Sequence, residues 1–272
     1  GHGHGHGSKD MNLELSGRTA IVTGSHRGTG AGIARVLAGE GARVWIHGFE
    51  TEPTEQVAEA LRGEGLDARA IVGDVRTDDG AREVAERVGD IDILVNNYGV
   101  AERGSWQSPT GDWIDLYQKN VLSGVRMVQA FTPGMRERGW GRVVFVSTMG
   151  TFRPGPTMPH YYASKMALPN MTVSLAKELA QTGITVNCVS PGLIATEEIR
   201  ERFQRQAARA GEPTDWPSVA EKISREVMPN PAGLIADPED IGHLVAFLVS
   251  DKARCINGAN LRIDGGAIDF TA

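Results

Sequence analysis

Short apolar runs alternate with longer amphipathic stretches from Arg18 almost to the C-terminus. Residues 19–23 form the first run, ended by Gly24; residues 44–47, 70–72, 91–96, 142–147, 184–189 and 260–263 follow. Runs this short and this uniformly apolar predict strands covered on both faces. Between them the spacing turns helical. Residues 31–39 carry Ile33, Val36 and Leu37 on one face, with Gly41 as the stop. Helices are also expected near 55–61 and 77–88, over a long stretch near 112–138, and from about Tyr161. Asp237 and Pro238 open the last helix as cap and first-turn proline, and Ile241, Leu244, Val245 and Leu248 mark its buried face. Regular β/α alternation with short connections predicts an α/β fold of Rossmann type: a doubly wound parallel sheet of about seven strands with helices on both faces. Nothing interrupts the alternation, so residues 11–272 are expected to form a single domain.

Composition narrows the function classes. The chain has 272 residues, 40% hydrophobic and 23% charged, with a net charge of -6, so no attraction to nucleic acid or an anionic membrane is expected. The longest apolar runs, such as 143–146, fall far short of the roughly 20 residues a bilayer span needs. Cys188 and Cys255 are too few for a disulfide scaffold and fit a reducing compartment, so a cytoplasmic location is expected. Residues 1–10, GHGHGHGSKD, read as a purification tag and are set aside. Outside it stand only His26, His47, His160 and His243, at no ligand-like spacing, and no metal is expected.

The first strand-to-helix turn reads Thr23-Gly24-Ser25-His26-Arg27-Gly28-Thr29-Gly30. Three glycines there let the backbone turn tightly and let a diphosphate approach the positive end of the following helix. An ordinary glycine-rich turn could look the same; its place after the first strand argues for a dinucleotide.

In this GxxxGxG spacing the chain resembles the short-chain dehydrogenase/reductase family, close to its 3-oxoacyl-acyl-carrier-protein-reductase-like members, from about Ser16 to Gly266. Further motifs stand in family order. Asp74, in Gly73-Asp74-Val75, matches the acidic residue that contacts the adenine. Asn96-Asn97-Tyr98-Gly99 matches Asn-Asn-Ala-Gly, with Tyr98 in place of alanine. Pro191-Gly192, Ile194 and Thr196 match the segment that binds the nicotinamide carboxamide, and Asn257-Gly258 with Asp264-Gly265-Gly266 matches the closing motif. The resemblance implies a nicotinamide cofactor, a small carbonyl or alcohol substrate, and a homo-oligomer, dimer or tetramer.

An NAD enzyme usually places an acid at the end of the second strand to bind the ribose 2′-hydroxyl. Here that place is Gly48, followed by Phe49. Arg27 could instead pair with a 2′-phosphate, so NADP(H) is favoured over NAD(H).

Tyr161-Tyr162-Ala163-Ser164-Lys165 carries the family's Tyr-x-x-x-Lys signature. Tyr161 and Lys165 share a helical face, whereas Tyr162 points elsewhere. A phenol with a pKa near 10 is a poor proton donor and acceptor at neutrality. A unit charge about 4 Å away, at an effective dielectric of 20, is worth roughly 4 kcal/mol, so the lysine ammonium is expected to lower the phenol pKa. The family adds a serine, usually about thirteen residues before the tyrosine, to hold the substrate oxygen. That spacing falls on Thr148; a one-residue insertion in the following loop would restore Ser147. Asn120 matches the asparagine that holds a water in the family's proton relay behind the lysine.

The competing readings are a cofactor-binding regulator that has lost catalysis, and a sugar- or acyl-modifying variant of the same fold. Loops after the fourth and fifth strands and the segment 195–230 are expected to form the substrate pocket and its lid, with Trp106, Phe152, Met158, His160 and Leu193 as lining residues. Pro169 falls four residues after Lys165. It is expected to bend or open the helix there, leaving the lysine carbonyl to a water or a side chain.

Overall fold

The computed structural model describes residues 11–271; the Gly-His stretch read as a tag, residues 1–10, lies outside the described residues. The elements follow the order β1 (Thr19–Val22), α1 (Gly28–Gly39), β2 (Arg43–Gly48), α2 (Thr51–Gly63), β3 (Ala68–Val72), α3 (Asp78–Val88) and β4 (Ile93–Asn96). Then come α4 (Thr110–Tyr117), α5 (Ser123–Arg138), β5 (Gly141–Val146), α6 (Pro159–Glu178) and β6 (Ile184–Pro191). The chain closes with α7 (Glu197–Arg209), α8 (Trp216–Lys222), α9 (Pro238–Leu248) and β7 (Asn260–Ile263).

The strands form one 7-stranded sheet in the order β3-β2-β1-β4-β5-β6-β7, and every pairing is parallel. Side chains alternate across it, which divides the interior in two. Val22, Ile93, Val95, Val144 and Val146 join Ile33, Leu37, Ile241 and Val245 on the face covered by α1 and α9. Ile21, Leu94, Val143 and Phe145 join Met127, Phe131 and Leu168 on the face covered by α5 and α6. Burial on both faces is the reason the strands read as apolar runs. Strand order reverses between β1 and β4, so the crevice at their carboxyl ends is where such sheets receive ligands.

Local signals place the helix ends well. Pro238 starts α9, and the Asp240 carboxylate accepts the Asp237 N–H at 2.8 Å. The stretch near 112–138 differs from a single α-helix. A π-helical turn, Gln118–Leu122, joins α4 to α5 and carries the buried Asn120. Asn120 is held there by the loop between β4 and α4: its Oδ1 accepts the Val100 N–H at 2.7 Å, and its Nδ2 donates to the Val100 carbonyl at 3.0 Å. Helix α6 neither starts nor stops at Pro169. The carbonyl that the proline frees, on Lys165, accepts a hydrogen bond at 2.9 Å from the Ser147 hydroxyl, so a side chain takes the place of the missing N–H.

Candidate active site

The glycine loop is tied to β2 before any ligand binds. The Ser25 hydroxyl donates to the Val22 carbonyl at 2.6 Å and accepts the His47 N–H at 2.9 Å. Fully buried, that side chain serves the loop's own architecture. Gly24 N–H donates to His47 Nδ1 at 3.0 Å, which leaves the ring proton on Nε2, 2.9 Å from the Gly73 carbonyl. A polar residue inside an apolar strand thus joins the ends of β1, β2 and β3, a role sequence reading missed.

Burial lowers the His47 pKa to about 4 from its ordinary 6.5, with nearby His26 adding to the effect and the Gly73 carbonyl and Asp74 opposing it. Between these values the unfolded chain binds a proton that the folded ring refuses, so stability is full above pH 6.5 and falls as the pH drops toward 4. The shift corresponds to about 3 kcal/mol. His47→Gln should flatten the fall in urea midpoint between pH 7.5 and pH 4.5; an unchanged fall would remove His47 as its cause.

At the carboxyl ends of the central strands lies a cleft of ≈ 250 Å³. One wall is the glycine loop, with Gly24, Arg27, Gly28, Thr29 and Gly30. Asn97 and Gly99 follow β4, Ser147 and Thr148 follow β5, Tyr161 and Lys165 come from α6, and Pro191, Gly192 and Ile194 from the end of β6. Asn97 ties the β4 loop to the glycine loop, its Nδ2 donating to the Thr23 carbonyl at 3.1 Å. A larger hollow, ≈ 720 Å³, lies between α7 and α8 and contains none of these groups.

Tyr161 and Lys165 stand one helical turn apart. Burial holds the Tyr161 phenol above its ordinary pKa, and the Thr148 hydroxyl beside it pulls the other way. The lowering expected from Lys165 is absent here, because the ammonium is turned onto the Val146 carbonyl at 3.2 Å. Burial also drives the Lys165 pKa down to about 8. Asn120 reaches α6 through Ser164: Nδ2 donates to the Ser164 hydroxyl at 3.0 Å, which in turn donates to the Tyr161 carbonyl at 2.8 Å.

The remaining residues singled out from sequence lie around the cleft rather than on its walls. Asp74 is engaged by Arg76, whose Nε and Nη2 donate to its two oxygens at 2.8 and 3.1 Å and hold the carboxyl below its usual range. Val75 is fully buried in the core. Tyr98 packs its ring 4.7 Å from Phe49, over which the Arg76 guanidinium sits at 4.9 Å. The Thr196 hydroxyl caps α7 by accepting the Ile199 N–H at 3.3 Å. Of the expected substrate-lining residues, Trp106 is exposed, His160 is buried near Trp113, Phe152 faces Phe270 and Leu193 packs against the cluster of Ala207, Val219 and Ile223. Met158 turns the chain into α6 with φ 56. Among the described residues no group of His, Cys, Asp or Glu could hold a metal ion, and no helix is long and apolar enough to cross a membrane.

The family model described as short chain dehydrogenase matches residues 18–207. YvaG of Bacillus subtilis (strain 168), named an uncharacterized oxidoreductase, is 35% identical over 265 residues, 95% of this chain and 98% of its own. L-sorbose reductase from Gluconobacter frateurii, solved with NADPH and L-sorbose, superposes with a TM-score of 0.89 at 29% identity, covering 96% of this chain and 100% of that one. A 3-oxoacyl (acyl-carrier-protein) reductase from Agrobacterium tumefaciens with NADP bound gives 0.83 at 30% identity, over 94% and 96% of the two chains.

Proposed function

The chain belongs to the short chain dehydrogenase family, and on that premise we propose that it transfers a hydride between NADP(H) and the carbonyl or alcohol carbon of a small organic substrate. One observation carries this reading: the glycine loop, Thr148, Tyr161 and Lys165 open onto a single cleft. The residues present fit a dinucleotide. Helix α1 has no acidic side chain in its first turn to oppose a diphosphate. A Cβ at Gly30 would stand 2.6 Å from the Gly24 carbonyl oxygen, so the loop is wound as tightly as a close backbone approach requires. When bound, the dinucleotide supplies or accepts the hydride.

The chain's own residues manage the proton. In reduction Tyr161 donates its phenolic proton to the substrate oxygen, which the Thr148 hydroxyl steadies; in oxidation Tyr161 receives the proton back. Lys165 would lend its charge to the phenolate only once its ammonium leaves the Val146 carbonyl, and Asn120 with Ser164 holds that turn of α6 in place. The segment 195–230 roofs the substrate side. Exposed apolar side chains on α4 and α6, Ile114, Tyr117, Met166 and Val173, support a homo-oligomer, dimer or tetramer.

The preference for NADP(H) rests on the end of β2. A Cβ at Gly48 would lie 2.1 Å from Thr54 Oγ1 and 2.9 Å from the His26 Cβ, so an acid cannot be placed there without rebuilding the turn. Arg27 at the cleft mouth is 70% exposed and only loosely paired with Glu198 at 3.9 Å, free to meet a 2′-phosphate. Arg27→Ala should raise the Kd for NADP(H) by about 10- to 100-fold, the loss of a charged hydrogen bond, and leave NAD(H) within about twofold. Equal Kd values for the two cofactors in both proteins would end this reading. For the reaction itself, a panel of ketones, keto-acyl thioesters, sugars and ketosteroids is assayed with NADPH and NADH. Cofactor consumption with at least one class is expected; tight dinucleotide binding without turnover on any would instead favour a regulator.

A further inference from the structure

We infer that Ser147 is a positioning residue, whose hydroxyl stands in for the backbone N–H that Pro169 removes and so fixes the lysine of the reacting pair. The inference rests on the hydride-transfer reading above. In an unbroken α-helix the carbonyl of Lys165 would accept from the N–H of residue 169. Proline has none, and the ring crowds that carbonyl. Ser147 Oγ meets it at 2.9 Å, with both residues buried. A buried carbonyl left without a donor would be destabilising, so this contact is not incidental.

The direction of approach matters as much as the bond. Ser164 and Thr172 also donate to carbonyls of α6, at 2.8 Å each, but from within the helix itself. Ser147 reaches in from the sheet, where its own N–H is fixed to the Val189 carbonyl at 2.8 Å. Its neighbour Val146 accepts the Lys165 ammonium at 3.2 Å. Two consecutive residues at the end of β5 therefore grip Lys165 at its backbone and at its tip. The single hydroxyl proton of Ser147 is committed to this bond, which leaves Thr148 free to serve the substrate.

Removing the hydroxyl should let the Lys165 turn rotate to find another donor, and misplacement by about 1 Å can cost up to 100-fold in rate. The test compares Ser147→Ala, Pro169→Ala and the double variant, using NADPH consumption with the best carbonyl substrate of the panel and thermal unfolding of the free protein. Ser147→Ala should lower kcat by about tenfold with KM within about twofold, and lower the Tm by about 5 °C. Pro169→Ala restores an N–H at the helical position. Alone it should stay within about twofold of the parent, and in the double variant it should recover both kcat and Tm to within about threefold and 2 °C of it. An unchanged kcat in Ser147→Ala, or a loss that Pro169→Ala does not relieve, overturns the inference. If Tyr161→Phe proves fully active, the hydride-transfer reading itself falls and takes the inference with it; if that variant is inactive while Ser147→Ala is normal, the inference alone falls.

Discussion

Tyr161→Phe should reduce kcat by about 10²- to 10⁴-fold while the Kd for NADP(H) stays within about threefold. The ring is half-buried beside Tyr162, with centroids 5.4 Å apart, so phenylalanine keeps the packing. What disappears is the proton donor and the hydroxyl beside Thr148. The direction of the Tyr161 pKa shift sharpens the expectation. Burial keeps the phenol protonated, which suits donation to a carbonyl but hinders the reverse reaction, in which it must be ionised. Oxidation should therefore rise with pH well past neutrality, while reduction holds up at lower pH. Stopped-flow measurement of NADPH absorbance isolates the hydride step; a loss below about threefold in that step would exclude Tyr161 from the role.

The second large effect is expected at Gly30. A Cβ built there would stand 2.5 Å from Asn97 Nδ2, 2.6 Å from the Gly24 carbonyl oxygen and 2.8 Å from the Ser25 Cα. Only the first of these is a side chain that could swing away. Gly30→Ala must therefore open the loop or release the β4 loop from it, an overpacking cost of about 1–3 kcal/mol. The Kd for either nicotinamide should rise by about 10- to 100-fold, with a lowered Tm. The same methyl at Gly39, which has nothing within 4 Å, should leave dinucleotide binding unaltered. Isothermal titration of both variants makes the comparison, and normal binding by Gly30→Ala would mean the loop is not the diphosphate cradle.

The apolar runs, the glycine spacing and the Tyr161–Lys165 pair were legible because each depends on neighbours close in the chain: a strand covered on both faces, a tight turn, one helical turn. His47 was not. Its partners, Gly24 and Gly73, lie 23 and 26 residues away and become neighbours only when three strands pair. The π turn at Gln118–Leu122 also left no mark in the pattern; the hydrogen bonds between Asn120 and Val100 that accompany it reach 20 residues back, to the loop after β4. Strand alternation could not separate Ser147 from Thr148, for a different reason. Strand alternation turns only one of two neighbours toward a site, but β5 ends at Val146 and Thr148 already caps the following 3-10 turn, so both residues reach the cleft. Pro169 was the opposite case. The missing N–H is a local fact, and it announced an orphan carbonyl before the donor could be known.

Helices α7 and α8 close on a small interior of their own, Ala207, Val219 and Ile223, backed by Phe203 and Trp216 and separate from the two interiors of the sheet. Opening this segment exposes that patch and not the Rossmann layers, so its free energy is set locally. On the proposed reading of this segment as the roof over the cleft, substitutions there should redraw the roof while the sheet's stability stays where it was. On that reading, selection for a new substrate and selection for a foldable chain would fall on different residues, and the same scaffold could change what it recognises without first becoming fragile.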